Sequence, residues 1–210
     1  LLDQNNPWFE RLLILTTSLD LSRKKLDASQ LRGLTQSDKL GSIRALDLSR
    51  CSLEDKDAIR ILRVAKFGKL RSLRLESNNL TAGFVRVLLD GHHTEELELL
   101  DLGWNDVASA GLEKLAGMPW LKNLTRLGLE NNSIEDDGVV YLMKHGDLGS
   151  LRELDLYNNS LTDESAHAIA SCKSLTSLEI LDISASQITE AGARMILDSS
   201  VVPEGLSITR

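Results

Sequence analysis

Apolar and polar positions change period at regular intervals along the chain. In LDLSRCSL (46–53), LRLESNNL (73–80), LDLGWNDV (100–107), LGLENNSI (127–134), LDLYNNSL (154–161) and LDISASQI (181–188), aliphatic and polar residues alternate, as a strand with one buried face requires. LDLSRKKL (19–26) opens the series. The leading residues, Leu19, Leu46, Leu73, Leu100, Leu127, Leu154 and Leu181, stand 27 residues apart without a slip. After each strand and a polar turn, apolar residues recur at i, i+3 and i+4, which is one face of a helix. The sets are Ala58/Ile61/Leu62, Val85/Leu88/Leu89, Leu112/Leu115/Ala116, Val139/Leu142/Met143, Ala166/Ile169/Ala170 and Ala193/Ile196/Leu197. Thr81, Ser109, Asp136, Thr162 and Thr189 precede these stretches and are expected to cap the helices. Gly83, Gly111, Gly138 and Gly192 recur nearby, which predicts close backbone packing there.

A strand–turn–helix unit of this size cannot bury its apolar face alone, so the units must stack. Stacking in sequence order pairs each strand in parallel with the next, about 4.8 Å away, and seven strands give an arc of roughly 30 Å. Helices are wider than strands, so the sheet becomes the concave wall and the helices the convex one. The ends then need covers. Residues 1–15 are expected to form a capping helix, with Asn6-Pro7 at its start and Trp8, Phe9, Leu12 and Leu13 over the first unit. Residues 16–200 hold the seven units. Residues 201–210 are expected to form a C-terminal cap or truncated repeat, with Leu206-Ser207-Ile208 after Pro203 as a closing strand.

The motif LxxLxLxxNxL followed by a helix resembles the ribonuclease-inhibitor-like leucine-rich repeat over roughly residues 16–200. The resemblance implies an α/β leucine-rich-repeat solenoid, a right-handed β-α superhelix of horseshoe form. It also implies that Asn78, Asn105, Asn132 and Asn159 bond the backbone of neighbouring turns as a ladder. Lys24, Cys51 and Ser186 depart from that pattern. Proteins of this kind serve mainly as interaction modules, and some activate small GTPases or inhibit ribonucleases. A protein-binding role is therefore expected, with regulation of another enzyme as the alternative. Fold alone does not choose between them.

Composition narrows the classes. Hydrophobic residues are 42 % and charged residues 26 %, fitting a folded chain, while aromatics at 4 % require an aliphatic core. A net charge of −7 argues against a general affinity for nucleic acid, although Arg23, Arg50 and Arg74 make a small basic spot. No apolar run reaches the roughly 20 residues that span a bilayer. No secretory leader is apparent, and an opening Leu1 without Met reads as part of something longer. Only Cys51 and Cys172 are present, in different repeats, and they are expected to be buried thiols of an intracellular, cytoplasmic protein. His92, His93, His145 and His167 lie on different repeats without metal-ligand spacing. Phosphate-binding and nucleophile-elbow motifs are missing, so neither an enzyme nor a cofactor is expected. The sequons at Asn79, Asn123, Asn131 and Asn158 owe more to the repeat than to glycosylation.

Residues at one offset form stripes across the concave wall. The first reads Asp20, Asp47, Arg74, Asp101, Gly128, Asp155, Asp182, with Arg74 placed to relieve repulsion between Asp47 and Asp101. The next read Ser22, Ser49, Glu76, Gly103, Glu130, Tyr157, Ser184 and Arg23, Arg50, Ser77, Trp104, Asn131, Asn158, Ala185. Trp104 stands out: an exposed aromatic is the residue type enriched at binding hot spots. Gly103 and Gly128 are expected to leave a shallow floor beside it, with Glu76 and Glu130 on either side. An aromatic wall with carboxylates suits a Lys or Arg of a partner. The expected protein contact patch is Trp104, Glu76, Glu130, Tyr157, Asp101, Asp155 and Arg74. Two alternatives stay open: that Trp104 packs on its own neighbours, or that the convex face binds instead. The outward residues of that face, Lys56, Arg60, Arg63, Arg86, Glu113 and Lys114, read as an ordinary solvated surface.

Overall fold

A computed structural model describes residues 17–37, 40–90 and 93–210. The expected capping helix at 1–15 and His92 lie outside the described residues.

The strands are β1 (Ser18–Asp20), β2 (Ala45–Asp47), β3 (Ser72–Arg74), β4 (Leu99–Asp101), β5 (Arg126–Gly128), β6 (Glu153–Asp155), β7 (Ile180–Asp182) and β8 (Ser207–Thr209). They form one parallel sheet in sequence order. Leu19, Leu46, Leu73, Leu100, Leu127, Leu154, Leu181 and Ile208 pair along a single row. The sheet thus has the seven strands of the repeat units and an eighth, β8, at the closing-strand segment expected after Pro203, which continues the hydrogen-bonding edge of β7.

The helices are α1 (Ala28–Gln36), α2 (Asp55–Val64), α3 (Ala82–Val85), α4 (Val87–Asp90), α5 (Ala108–Ala116), α6 (Asp136–His145), α7 (Asp163–Ala170) and α8 (Glu190–Leu197). The single helix expected in the third repeat is broken into α3 and α4 at Arg86. Phe84, Val85, Val87 and Leu88 are all buried there, a wider apolar arc than one straight helical face presents. The other predicted helical faces are buried as expected, with one exception. Leu197 is 55 % exposed, because no further helix packs on the outer side of α8. Between sheet and helices runs one continuous aliphatic core.

The asparagine ladder follows the turns after the strands. Asn78 donates to the carbonyls of Leu48 and Leu75 (3.0 and 2.8 Å) and accepts from the N–H groups of Cys51 and Leu53. Asn105, Asn132 and Asn159 repeat the arrangement one turn on each time. Where Cys51 replaces asparagine, its thiol donates to the Leu21 carbonyl at 3.1 Å. Ser186 reaches only its own turn, donating to Ile183 at 2.6 Å, so the ladder ends there.

A second ladder joins the helix starts. Thr81, Thr162 and Thr189 cap their helices, accepting from the N–H groups of Gly83, Glu164 and Gly192. Each cap is held by an aspartate from the preceding helix. Asp55 accepts from Thr81, Asp136 from Thr162 and Asp163 from Thr189, through both the backbone N–H and the hydroxyl. Two expected caps therefore have a different task. Asp136 is the first residue of α6 and serves the next helix, accepting also from the N–H and hydroxyl of Ser165. Ser109 lies inside α5, and its hydroxyl accepts from the Glu135 N–H at 3.1 Å. The recurrent glycines make room: a Cβ at Gly83 would sit 2.6 Å from the Asp55 carboxylate, and one at Gly138 would sit 2.7 Å from the Ser109 Cα.

Burial opposes the charge of Asp136, but the bonds from Ser165 and Thr162 outweigh it and hold its carboxyl below the ordinary range. Asp136→Ala is expected to lower stability by about 1 kcal/mol near pH 7, comparable to losing a helix cap. The folded pKa lies below the unfolded one, so this contribution is present above the unfolded value and is lost as pH falls through the folded one. Urea unfolding of both forms at pH 7 and in acid checks both points.

Candidate functional site

The outward side chains of the strands and of the turns after them build the concave wall. Its aspartates first do a local job. Asp20, Asp47, Asp101, Asp155 and Asp182 each accept from the N–H two residues on, at Ser22, Ser49, Gly103, Tyr157 and Ser184. These bonds fold the chain into a tight turn. The residue after each such turn has a left-handed backbone, and so do Ser77 and Asn131, whose turns lack the aspartate: Arg23, Arg50, Ser77, Trp104, Asn131, Asn158 and Ala185 have φ between 50° and 60°. The acidic stripe is thus turn chemistry before it is a charged surface.

Left-handed geometry gives the position of Trp104 its meaning. Asparagine and glycine tolerate φ of 55°, whereas a bulky side chain costs roughly 1–2 kcal/mol there. Trp104 nevertheless occupies it and leaves 48 % of its surface in solvent. Its N–H donates to the Glu130 carbonyl at 2.7 Å, fixing the turn. Ala108, four residues on, is also left-handed at φ 52°, so the fourth repeat carries two strained positions in one loop. Stability does not explain a solvent-facing indole on a strained backbone.

Beside Trp104 the expected floor is occupied. A Cβ at Gly103 would collide with both oxygens of the Glu130 carboxyl, which folds back over that glycine. A Cβ at Gly128 would stand 3.0 Å from Asp101 Oδ1 and 3.3 Å from Glu130 Oε2. Two side-chain-free positions in adjacent repeats, one in the turn after β4 and one in β5, thus hold two carboxyls. Glu76 pairs with Arg50 at 2.9 Å, and its charge still acts on Glu130 and Asp101.

Cations are scarce here. Arg74 lies between Asp47 and Asp101 in the register and approaches Asp101 at 3.8 Å. Arg126, on the strand position before Leu127, pairs with Glu153 at 3.2 Å, and its Nε is buried without a hydrogen-bond partner. The sequence stripes omit Arg126, although its offset, one before the strand leucine, also faces the wall. The same offset carries Leu99, Glu153 and Ile180, the last 46 % exposed.

Crowding shows in the protonation equilibria. Burial pushes Asp101 and Asp155 above the ordinary carboxylate range. Glu130 rises to about 7, through burial first and then repulsion from Asp101, Asp155 and Glu76. Tyr157 is 37 % exposed and stands two strands from Trp104, so the two rings flank the carboxyls rather than touch.

On the convex face, Lys56 pairs with Glu54 at 2.7 Å, and Arg60, Arg86 and Glu113 are exposed. Lys114 departs from a solvated reading: its ammonium donates to the Ala82 carbonyl at 2.7 Å and ties α5 to α3. His145 stacks on Tyr141, His93 meets Phe67 edge-on, and His167 lines a cleft between α6 and α7. Cys51 and Cys172 are both buried and free. Among the described residues no group of three side chains could hold a metal ion, and no helix is long and apolar enough to cross a membrane.

Comparison with known proteins agrees with this architecture. Residues 149–193 match a family model described as leucine-rich repeats in two copies, and residues 97–116 and 121–143 match a leucine-rich-repeat model. No curated protein sequence matches significantly. Among solved structures, an internalin from Listeria monocytogenes str. 4b F2365 superposes with a TM-score of 0.57 at 21 % identity, over 93 % of this chain and 49 % of the internalin. The chain therefore spans about half the length of that protein. The structure of the Rad7 and Elc1 complex in yeast gives a TM-score of 0.39 at 15 % identity, over 95 % of this chain and 64 % of that one, too remote to bear on fold or function. The chain carries leucine-rich repeats, stacked as an open α/β solenoid.

Proposed function

We propose that this solenoid is a protein-interaction module, acting by binding rather than catalysis, and that its partner docks on the concave wall around Trp104. The repeats are of the 27-residue, ribonuclease-inhibitor-like kind, and the strand register supports that reading. Two buried free thiols support an intracellular, cytoplasmic setting. The acidic balance disfavours nucleic acid as the ligand.

The observation that carries the proposal is the half-exposed indole of Trp104 on a left-handed backbone, beside carboxyls crowded beyond their comfort. A partner Lys or Arg inserted there relieves the repulsion among Asp101, Glu130 and Asp155 and stacks against the ring. Tyr157 bounds the site on the far side, and Arg74, which approaches Asp101 at 3.8 Å, bounds it on the near one.

Immobilised wild type and a Trp104→Ala/Glu130→Lys variant, matched in thermal unfolding, are compared for what each captures from lysate. At least one protein held by the wild type is expected to fall tenfold or more on the variant, the loss typical of a hot-spot residue. Identical captures would sink the concave-wall assignment and move the site to the helices.

A further inference from the structure

The two glycines of the concave wall do more than flatten it. Gly103 lies in the turn after β4 and Gly128 ends β5, and the notch between them is filled by one flexible side chain, Glu130. The other acids nearby have an engaged partner. Asp101 accepts from the Gly103 N–H and faces Arg74, Asp155 accepts from the Tyr157 N–H, and Glu76 pairs with Arg50. Arg126, a cation of the same repeat as Glu130, is committed to Glu153. No ion pair among the described residues engages Glu130.

We propose that Glu130 is a proton-operated latch on this wall: neutral, it lies in the Gly103–Gly128 notch and closes the hollow, and ionised, it leaves the notch to meet a cation of the partner. This rests on the reading of the wall as a docking face for a basic side chain and adds its regulation. The physical reason is placement. In the notch the carboxyl lies beside Asp101, whose negative charge resists a second one there. Swung out toward solvent, it escapes both burial and repulsion. A guanidinium or ammonium arriving beside Trp104 favours the ionised form and expels the proton, which goes to buffer. Binding is therefore proton-releasing and strengthens as pH rises. With a midpoint near 7, affinity should rise about tenfold between pH 6 and pH 8.

The geometry offers a variant that acts on the notch without touching the carboxyl. Gly103 has an ordinary backbone, so Gly103→Ala introduces only a methyl group, and that methyl takes the space of the Glu130 oxygens.

The test has two arms. Carbon-detected NMR follows the glutamate side-chain carboxyls of the whole chain from pH 3 to 9. One glutamate titrating near 7 is expected in wild type. That signal should be absent in Glu130→Gln and shifted to lower pH in Gly103→Ala, where the latch is held open. Calorimetry then measures binding of a hexa-arginine peptide at pH 6 and 8 in buffers of different ionisation enthalpy. Proton release and tighter binding at pH 8 in wild type, with neither in Glu130→Gln, support the latch. All glutamates titrating below about 5.5, or a high midpoint that survives Glu130→Gln, overturns it. A peptide that binds equally at both pH values overturns the linkage. A peptide that binds at neither pH contradicts the basic-partner reading, while the NMR arm still decides the latch.

Discussion

Asn159→Ala is expected to destabilise the fold by about 3–4 kcal/mol. One amide joins two turns of the solenoid. Its oxygen accepts from the N–H groups of Asn132 and Ile134, both at 3.0 Å, and its nitrogen donates to the carbonyls of Leu129 and Leu156 at 3.0 and 3.1 Å. Alanine removes all four bonds and leaves four backbone groups without partners in a dry interior. Each intact bond contributes about 1 kcal/mol net, and stranded groups cost more than the bonds were worth. Cys51→Ala is the internal control, since the thiol at the same repeat position supplies a weak donor, and about 1 kcal/mol is expected there. Urea unfolding measures both. The location of the damage is a second readout. Each repeat contacts only its neighbours, so hydrogen exchange should quicken first at the amides of Asn132 and Ile134. A loss spread evenly over the chain, or one no larger than that of Cys51→Ala, would contradict the ladder as the main polar tie between repeats.

The same contrast explains what could be read from the residues alone. Strand register, helix faces and the asparagine ladder are periodic, so their position follows from the first leucine of each unit, and one mismatch does not hide the rest. Non-periodic features escape that reading. Leu197 fits the helical face, yet it is exposed because burial depends on a following helix, which is not a property of its own segment. The role of Asp136 was hidden because its partners, Thr162 and Ser165, lie a whole repeat away. The 26-residue Asp–Thr spacing, seen also at Asp55–Thr81 and Asp163–Thr189, is the available signal.

The candidate site divides in the same way. Trp104 is conspicuous as a residue type, and its outward position follows from the repeat. What the residues do not reveal is the direction of flexible side chains. Glu76 and Glu130 occupy equivalent offsets but differ in their surroundings. Glu76 has Arg50 one repeat back and extends to it, whereas Glu130 has Gly103 there and folds into the space. The floor inferred from two glycines is a gap in the backbone surface, and it is filled by Glu130, which no ion pair among the described residues engages. Arg126 was passed over because the stripe containing it mixes Ser, Ala, Leu, Arg, Glu and Ile, with no pattern to draw attention to it.

Glu130→Gln is expected to raise stability by about 1–2 kcal/mol at pH 8 and to leave it unchanged near pH 4. In the folded chain the carboxyl holds its proton up to about 7, against an ordinary 4.5 when unfolded. Between those values the native state binds more protons than the unfolded state, so stability falls as pH rises through the window. Above it the stability of the neutral carboxyl seated in the notch is lost, because the ionised form is resisted there. The difference in pKa corresponds to an upper bound of about 3 kcal/mol, and solvent reaching a partly exposed group reduces it to the expected range. Glutamine keeps the shape and removes the charge, so it abolishes the penalty at pH 8. Near pH 4 the two side chains are both neutral and the forms should unfold together. Asp101 and Asp155 titrate in both proteins and largely cancel in the comparison. Thermal unfolding across pH 4 to 8 makes the measurement. If the two curves run parallel at every pH, Glu130 is not strained by its neighbours. If the variant is weaker at pH 8, the carboxylate is held by a cation that compensates its burial. The expected sign has a functional corollary: the chain gives up stability at neutral pH to keep an uncompensated carboxylate in its wall, and a basic group from a partner restores it.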